Sequence, residues 1–230
     1  MRYVVILFLF ITSIFANAQE AKTKSDTLPY ELRKQAFIYT AARQYNDPAI
    51  ARMALYNLLA LNPNSAPILD TLAKIYYEYQ QYASAALVAQ DAMQLNPNDL
   101  YAVEIAASAF DNLGVKVRAI ANFEKLYLAK NDLTILYKVA FLQFESKKYG
   151  ESLNNINTIL SASTSDKLKL FFPTNDGRGQ EVSLKAAATR LQAMLEQDKG
   201  NVDRAKELFN KTLEMVPDFE IVKNQLAEIK

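Results

Sequence analysis

Leu61-Asn62-Pro63-Asn64 recurs as Leu95-Asn96-Pro97-Asn98, a shift of 34 residues. A fixed period constrains the fold more than any other feature here. A unit this short cannot bury its own apolar face and must stack on copies of itself. Two helical patterns lie between the repeats. Leu69, Leu72, Ala73 and Tyr76 fall at three- and four-residue spacing, on one face of a helix. After a break at Gln80-Gln81, Ala85, Ala89 and Ala92 follow the same kind of spacing. Asn-Pro then ends the second helix, because proline cannot continue it and disfavours helical backbone in the residue before it. The expected unit is a helix pair, and the expected class is all-α.

This arrangement resembles the tetratricopeptide repeat, in which two antiparallel helices carry large residues on the first helix, small ones at the crossing and a terminal proline. Leu69, Leu72, Ala73, Tyr76, Ala85, Ala92 and Pro97 match that pattern, and Ala89 departs from it where an aromatic is usual. The next unit supplies Val103, Ala106, Ala107, Phe110, Ala119 and Phe123, with Asn131-Asp132 in place of the proline. A further unit carries Leu136, Val139, Ala140, Tyr149, Ser152 and Ile156. The C-terminal unit has Ala193, Gly200, Ala205, Phe209 and Pro217, and fits only with one residue added near its turn. Ahead of these, Ala51, Leu55, Leu58 and Pro63 mark an N-terminal unit. The resemblance implies a helical solenoid over residues 30–230, with units at about 31–64, 66–99, 100–132, 133–160 and 184–218. Phe219, Val222, Leu226 and Ile229 suit a capping helix over 218–230.

Residues 161–183 break the pattern. Lys167-Leu168-Lys169-Leu170 alternates polar and apolar ahead of Phe171-Phe172-Pro173. A turn signal from Thr174 to Gly179 separates it from Glu181-Val182-Ser183-Leu184, so a β-hairpin insert is expected. Two readings stand: Leu168, Leu170 and Phe172 cover a neighbouring helix, or Phe171 and Phe172 offer an apolar contact to a partner.

The N-terminus reads as an export signal. Met1-Arg2 precedes an apolar run from Tyr3 to Phe15, and Ala16-Asn17-Ala18 fits a small-x-small cleavage pattern. The run is shorter than the ~20 residues a membrane-crossing helix needs. A signal peptide is therefore expected over 1–18 and a flexible polar leader over 19–29. The expected location is periplasmic or secreted, with no membrane insertion after cleavage.

Composition narrows the chemistry. The chain has no histidine and no cysteine, so a Ser-His-Asp arrangement, a thiol nucleophile, a disulfide and a Cys/His zinc site are all excluded. Five glycines form no phosphate-cradling loop, because Gly177-Arg178-Gly179 lacks both the strand–turn–helix setting and the P-loop lysine. Lys plus Arg number 26 against 25 acidic residues, and the basic residues form no stripe, which argues against nucleic acid as a partner. No cofactor, metal site or enzymatic activity is expected.

In the family, the first helices of the units line a concave groove. By resemblance, that face holds Asp70, Lys74 and Tyr77, then Tyr101, Glu104, Ser108 and Asn112, then Tyr137, Phe141 and Phe144. Members that clamp a C-terminal carboxylate use asparagines and basic residues at positions occupied here by Thr71, Ile105, Lys138 and Phe141, so that clamp is not supported. The expectation is a protein or peptide partner, as for a cell-envelope scaffold or adaptor, with the groove or Phe171 and Phe172 as contact. Against it stands core packing of the same aromatics, which is common at helical spacing. Three alternatives remain: a small-ligand or glycan carrier, which lacks tryptophan for sugar stacking; a carboxylate enzyme pairing Asp70 with Glu104; and a homo-oligomer.

Overall fold

The computed structural model describes residues 29–174 and 176–229. The expected signal peptide and residues 19–28 of the leader lie outside the described residues. Eleven helices are present among those described. Ten form five pairs: α1 (Tyr30–Gln44) with α2 (Pro48–Leu61), α3 (Ala66–Glu78) with α4 (Tyr82–Leu95), α5 (Leu100–Asn112) with α6 (Lys116–Lys130), α7 (Leu133–Glu145) with α8 (Tyr149–Ser161), and α9 (Leu184–Asp198) with α10 (Val202–Met215). A final helix, α11 (Glu220–Glu228), packs on α10.

Local chemistry starts and stops these helices. Asp47, Asp99, Asp132 and Ser183 cap α2, α5, α7 and α9 by accepting from backbone N–H groups of the first turn, at 2.8–3.2 Å. The turn inside each pair is built the same way five times. A residue with positive φ follows the first helix: Asn46, Gln80, Gly114, Lys147 and Gly200. In each turn its N–H and the next residue's N–H return to carbonyls of the last helical turn, as in Val115 to Phe110 and Gly114 to Asp111, both 2.9 Å. Where the third pair lacks a terminal proline, Asn131 takes the left-handed conformation instead and leads into the Asp132 cap.

Small residues let the paired helices approach. Ala73, Ala85 and Ala89 are fully buried in one pair, Ala106 and Ala119 in the next, and Ala193 and Ala205 in the last. Ser152 takes the equivalent place on α8 and donates its hydroxyl to Ala140 O at 2.8 Å. The apolar clusters run across pair boundaries: Ile105, Ala106 and Val139 share a core with Ala73 and Ala85. First helices also touch one another, α3 against α5 and α7 against α9. This stacking buries faces that no single pair could cover.

Two short strands interrupt the array. β1 (Lys169–Phe172) runs antiparallel to β2 (Gln180–Ser183), with Leu170 opposite Val182 and Phe172 opposite Gln180. The alternation sends Leu170 and Phe172 inward and Lys169 and Phe171 outward. Leu168, Leu170 and Phe172 pack against a core formed by α7, α8 and α9, so covering is the role observed for them. Beyond the insert, α9 is two residues longer than α3, α5 and α7, and the extra length lies at its start. Ala193 stands seven residues before the turn residue Gly200 as Ala73 does before Gln80, so the residue expected to be added near the turn is not there.

Candidate interaction face

The first-helix residues picked out by resemblance divide by burial. On α3, Lys74 is exposed, and Asp70 and Tyr77 are half-buried. On α5, Tyr101, Glu104 and Asn112 are exposed and Ser108 is half-buried. On α7, Phe141 and Phe144 are half-buried, whereas Tyr137 keeps only 9% of its surface exposed and belongs to the core. Tyr137 is therefore corrected from a contact residue to a packing one, because α9 and the hairpin share its core. Phe172 is corrected likewise: its ring packs edge-on against Phe219 at 5.0 Å between centroids, while Phe171 is 72% exposed.

Hydrogen bonds and ion pairs order the exposed part. Asn112 Nδ2 donates to the Tyr77 hydroxyl at 3.3 Å, tying α5 to α3, and the Tyr77 ring stands edge-on to Tyr82. Glu78 lies 2.9 Å from Arg43 and 3.9 Å from Lys74. Glu104 takes Lys130 at 2.8 Å, and Asp111 takes Lys138 at 2.7 Å. Phe141, Phe144 and Tyr149 form a chain of tilted rings with centroids 6.4 Å apart, and the Tyr149 hydroxyl donates to Asp198.

Asp70 is the electrostatic exception. Its Oδ1 is buried with no hydrogen-bond partner. Burial first, and then the charge and hydrogen bond of Asp99, raise its pKa from 3.8 to about 6. Burial also pushes the Tyr101 phenol upward, reinforced by the negative charges of Asp70, Glu78 and Glu104. The carboxylate pair is thus Asp70 with Asp99 and not Asp70 with Glu104, whose carboxylate is held by Lys130. No group of three or more acidic residues suited to a metal ion occurs among the described residues.

Residues not singled out by the sequence also shape this face. Arg190 on α9 is buried, with Nε donating to Gln225 Oε1 at 2.8 Å and its guanidinium over the rings of Phe172 and Phe219. Burial pushes the Tyr137 hydroxyl up to about 12, against the opposing pull of Arg190. One signal could have found Arg190. It lies three residues before Ala193, as Asp70, Glu104 and Tyr137 lie three before Ala73, Ala107 and Ala140. Gln225 comes from the capping helix, for which the repeat offers no template, whereas Phe219 at its N-cap was among the residues expected there. Surface clefts of about 340 to 520 Å³ occur at the hairpin tip and at helix ends, and none of these is lined by Tyr77 or Tyr101.

Five helix pairs with left-handed intra-pair turns and small crossing residues define the tetratricopeptide-repeat fold, and solved structures place the chain in it. A tetratricopeptide repeat protein from Parabacteroides merdae aligns with a TM-score of 0.65 at 17% identity, over 87% of this chain and 73% of that one. YrrB, a tetratricopeptide-repeat protein with an unusual peptide-binding site, aligns with a TM-score of 0.64 at 15% identity, over 92% and 96%. MamA aligns with a TM-score of 0.62 at 18% identity, over 80% and 91%. No family model matches the sequence, and no curated protein matches it.

Proposed function

We propose that this chain is an exported interaction module that holds a protein or peptide against its first-helix face and performs no catalysis. The observation that carries the reading is the exposed surface of α3 and α5. There Tyr101 stands 45% exposed within reach of the negative charges of Asp70, Glu78 and Glu104, and Lys74 and Asn112 are exposed further along the same two helices. Groove recognition of this kind uses apolar anchors for affinity and polar groups for register. The peptide-binding site of YrrB, a protein of the same fold, supports the same use of this chain. Export rests on the charged start, short apolar run and Ala16-Asn17-Ala18 at the N-terminus. No described helix is long and apolar enough to cross a membrane.

The test is affinity capture from the host's cell-envelope extract, with the wild-type chain and a Lys74→Ala, Tyr101→Ala, Asn112→Ala variant as parallel baits. Circular dichroism must first show equal helix content in both. A protein held by the wild type and lost by the variant supports the face. Retention by both moves the contact elsewhere, with Phe171 next to be changed. If neither bait enriches a protein, the module reading fails and small-ligand binding takes its place.

A further inference from the structure

Counting back from the turn residue of each pair identifies the side of a first helix that meets the pair before it. Five residues before the turn stand Ile75, Ala109, Leu142 and Leu195, all 0–1% exposed and all in cores shared with the preceding pair. Nine residues before the turn, Ile105 and Leu191 are buried in the same way, and Thr71 and Lys138 are half-buried. On α1 these two positions hold Ala41 and Phe37, and Phe37 is 74% exposed. The residue just before the turn tells the same story. Tyr79 donates its hydroxyl to Asn46 Oδ1 in the preceding turn at 2.8 Å, whereas its counterpart Tyr45 is 77% exposed. Tyr30, one helical repeat of seven before Phe37, is 67% exposed. The side that later pairs use for docking is thus present on α1, and no described element covers it.

With the expected signal peptide removed, the chain's own leader does not suit this surface, because Ala21 and Leu28 are the apolar side chains of residues 19–28. The opposite end of the array does not suit it either. There α11 covers the last pair and leaves Lys223, Asn224 and Glu228 exposed, a polar cap of the kind that closes a repeat array. The apolar match that a second copy offers is therefore the same side of α1. Phe37 is the midpoint of α1, seven residues from Tyr30 and seven from Gln44. An antiparallel crossing of two such helices sets Phe37 on its symmetry mate and Tyr30 beside Gln44 of the second copy. Lys34 then stands opposite Thr40, ~9 Å along the axis from its own mate, beyond the ~8 Å Debye length at physiological salt. Its charge is also met by Glu31 at 3.6 Å.

We propose that α1 is a self-association face on which two copies of this chain pair antiparallel about Phe37. The contact extends between two chains the packing that joins consecutive pairs within one. One patch serves both copies, so the contact is two-fold and association closes at the dimer. Its strength follows from its size. An aromatic side chain buries ~150–250 Å², so Tyr30, Phe37 and Tyr45, each about two-thirds to three-quarters exposed, offer roughly 400 Å² per copy. That is about half of the ~800 Å² per partner in a standard interface, so the dimer dissociates readily on dilution. The inference goes beyond the groove reading and uses none of Lys74, Tyr101 or Asn112.

The experiment is sedimentation velocity on the chain purified from the host's cell envelope, at about 1 to 300 μM. Wild type is compared with Phe37→Glu and with Phe171→Glu. Both rings are largely exposed, so neither substitution opens a core. The expected result is conversion of the wild type from monomer to dimer across this range, with Phe171→Glu following the same curve. Phe37→Glu should need about tenfold more protein for the same dimer fraction. A wild type that stays monomeric, association unchanged in Phe37→Glu, association lost in Phe171→Glu, or growth past the dimer would each overturn the proposal. The groove residues are intact in all three chains, so failure here leaves the capture test of the Tyr101 surface untouched.

Discussion

Replacing Asp70 with asparagine should make the protein more stable at neutral pH and leave it unchanged in acid. In the native state, burial and the neighbouring Asp99 raise the Asp70 pKa from 3.8 to about 6. The native carboxyl keeps its proton at pH values where the unfolded chain has released it. That stabilisation is complete below about pH 4 and is lost as the pH rises through about 6. For a fully sheltered group the shift would be worth about 3 kcal/mol, at about 1.4 kcal/mol for each tenfold change in proton affinity. Asp70 is half-buried, so solvent screening reduces this to about 1 kcal/mol. An asparagine amide is neutral at every pH, and its N–H can donate to Asp99 as the shared proton does. Asp70→Asn should therefore match the wild type near pH 4 and exceed its melting temperature by about 2–4 °C at pH 7.5. Thermal unfolding followed by circular dichroism from pH 4 to 8 reads this directly. A difference that does not vary with pH, or a variant less stable at pH 7.5, would refute the electrostatic argument.

Other perturbations test the packing. Phe219→Ala removes a fully buried ring that meets Phe172 and Arg190, and should cost about 3–5 kcal/mol in urea unfolding. In the hairpin, Phe172→Ala should cost about 3 kcal/mol while Phe171→Ser stays within about 0.5 kcal/mol, and the reverse order would contradict the observed register. Gly114→Ala should cost about 1 kcal/mol in thermal unfolding. Nothing lies within 4 Å of the added methyl, so the cost comes from the backbone alone, held at φ +71°.

Where the physics is local, the sequence was sufficient. The recurrence of Leu-Asn-Pro-Asn, the apolar spacing of Leu72 and Ala73, and the alanines at Ala85 and Ala89 all act within one unit or between adjacent ones. They are enough to specify paired helices that stack. The alternation on either side of Thr174–Gly179 was enough for a hairpin, because strand periodicity is also a local property. Only Gly114 and Gly200 advertise the left-handed conformation of the intra-pair turn; at Asn46, Gln80 and Lys147 it stayed hidden, although the break at Gln80-Gln81 was itself legible. There the repeated hydrogen-bond closure outweighs the preference of the single residue.

The face was legible only as a set of positions. That Asp70, Glu104 and Tyr137 occupy equivalent places could be read from the repeat, but not that one would be half-buried beside Asp99, one paired with Lys130 and one buried against Arg190. Repetition determines where a side chain stands on its helix. Burial and charge at that place depend on what covers it, and over Tyr137 the cover comes from the hairpin and α9, about 30 residues or more away along the chain. The choice between Phe171 and Phe172 was of the same kind. Adjacent and chemically identical, they were separated by strand register and by the presence of Phe219 on one side of the sheet. The sequence by itself determined the repeating helix pair, and tertiary contact alone decided which of its equivalent positions face a partner and which face the core.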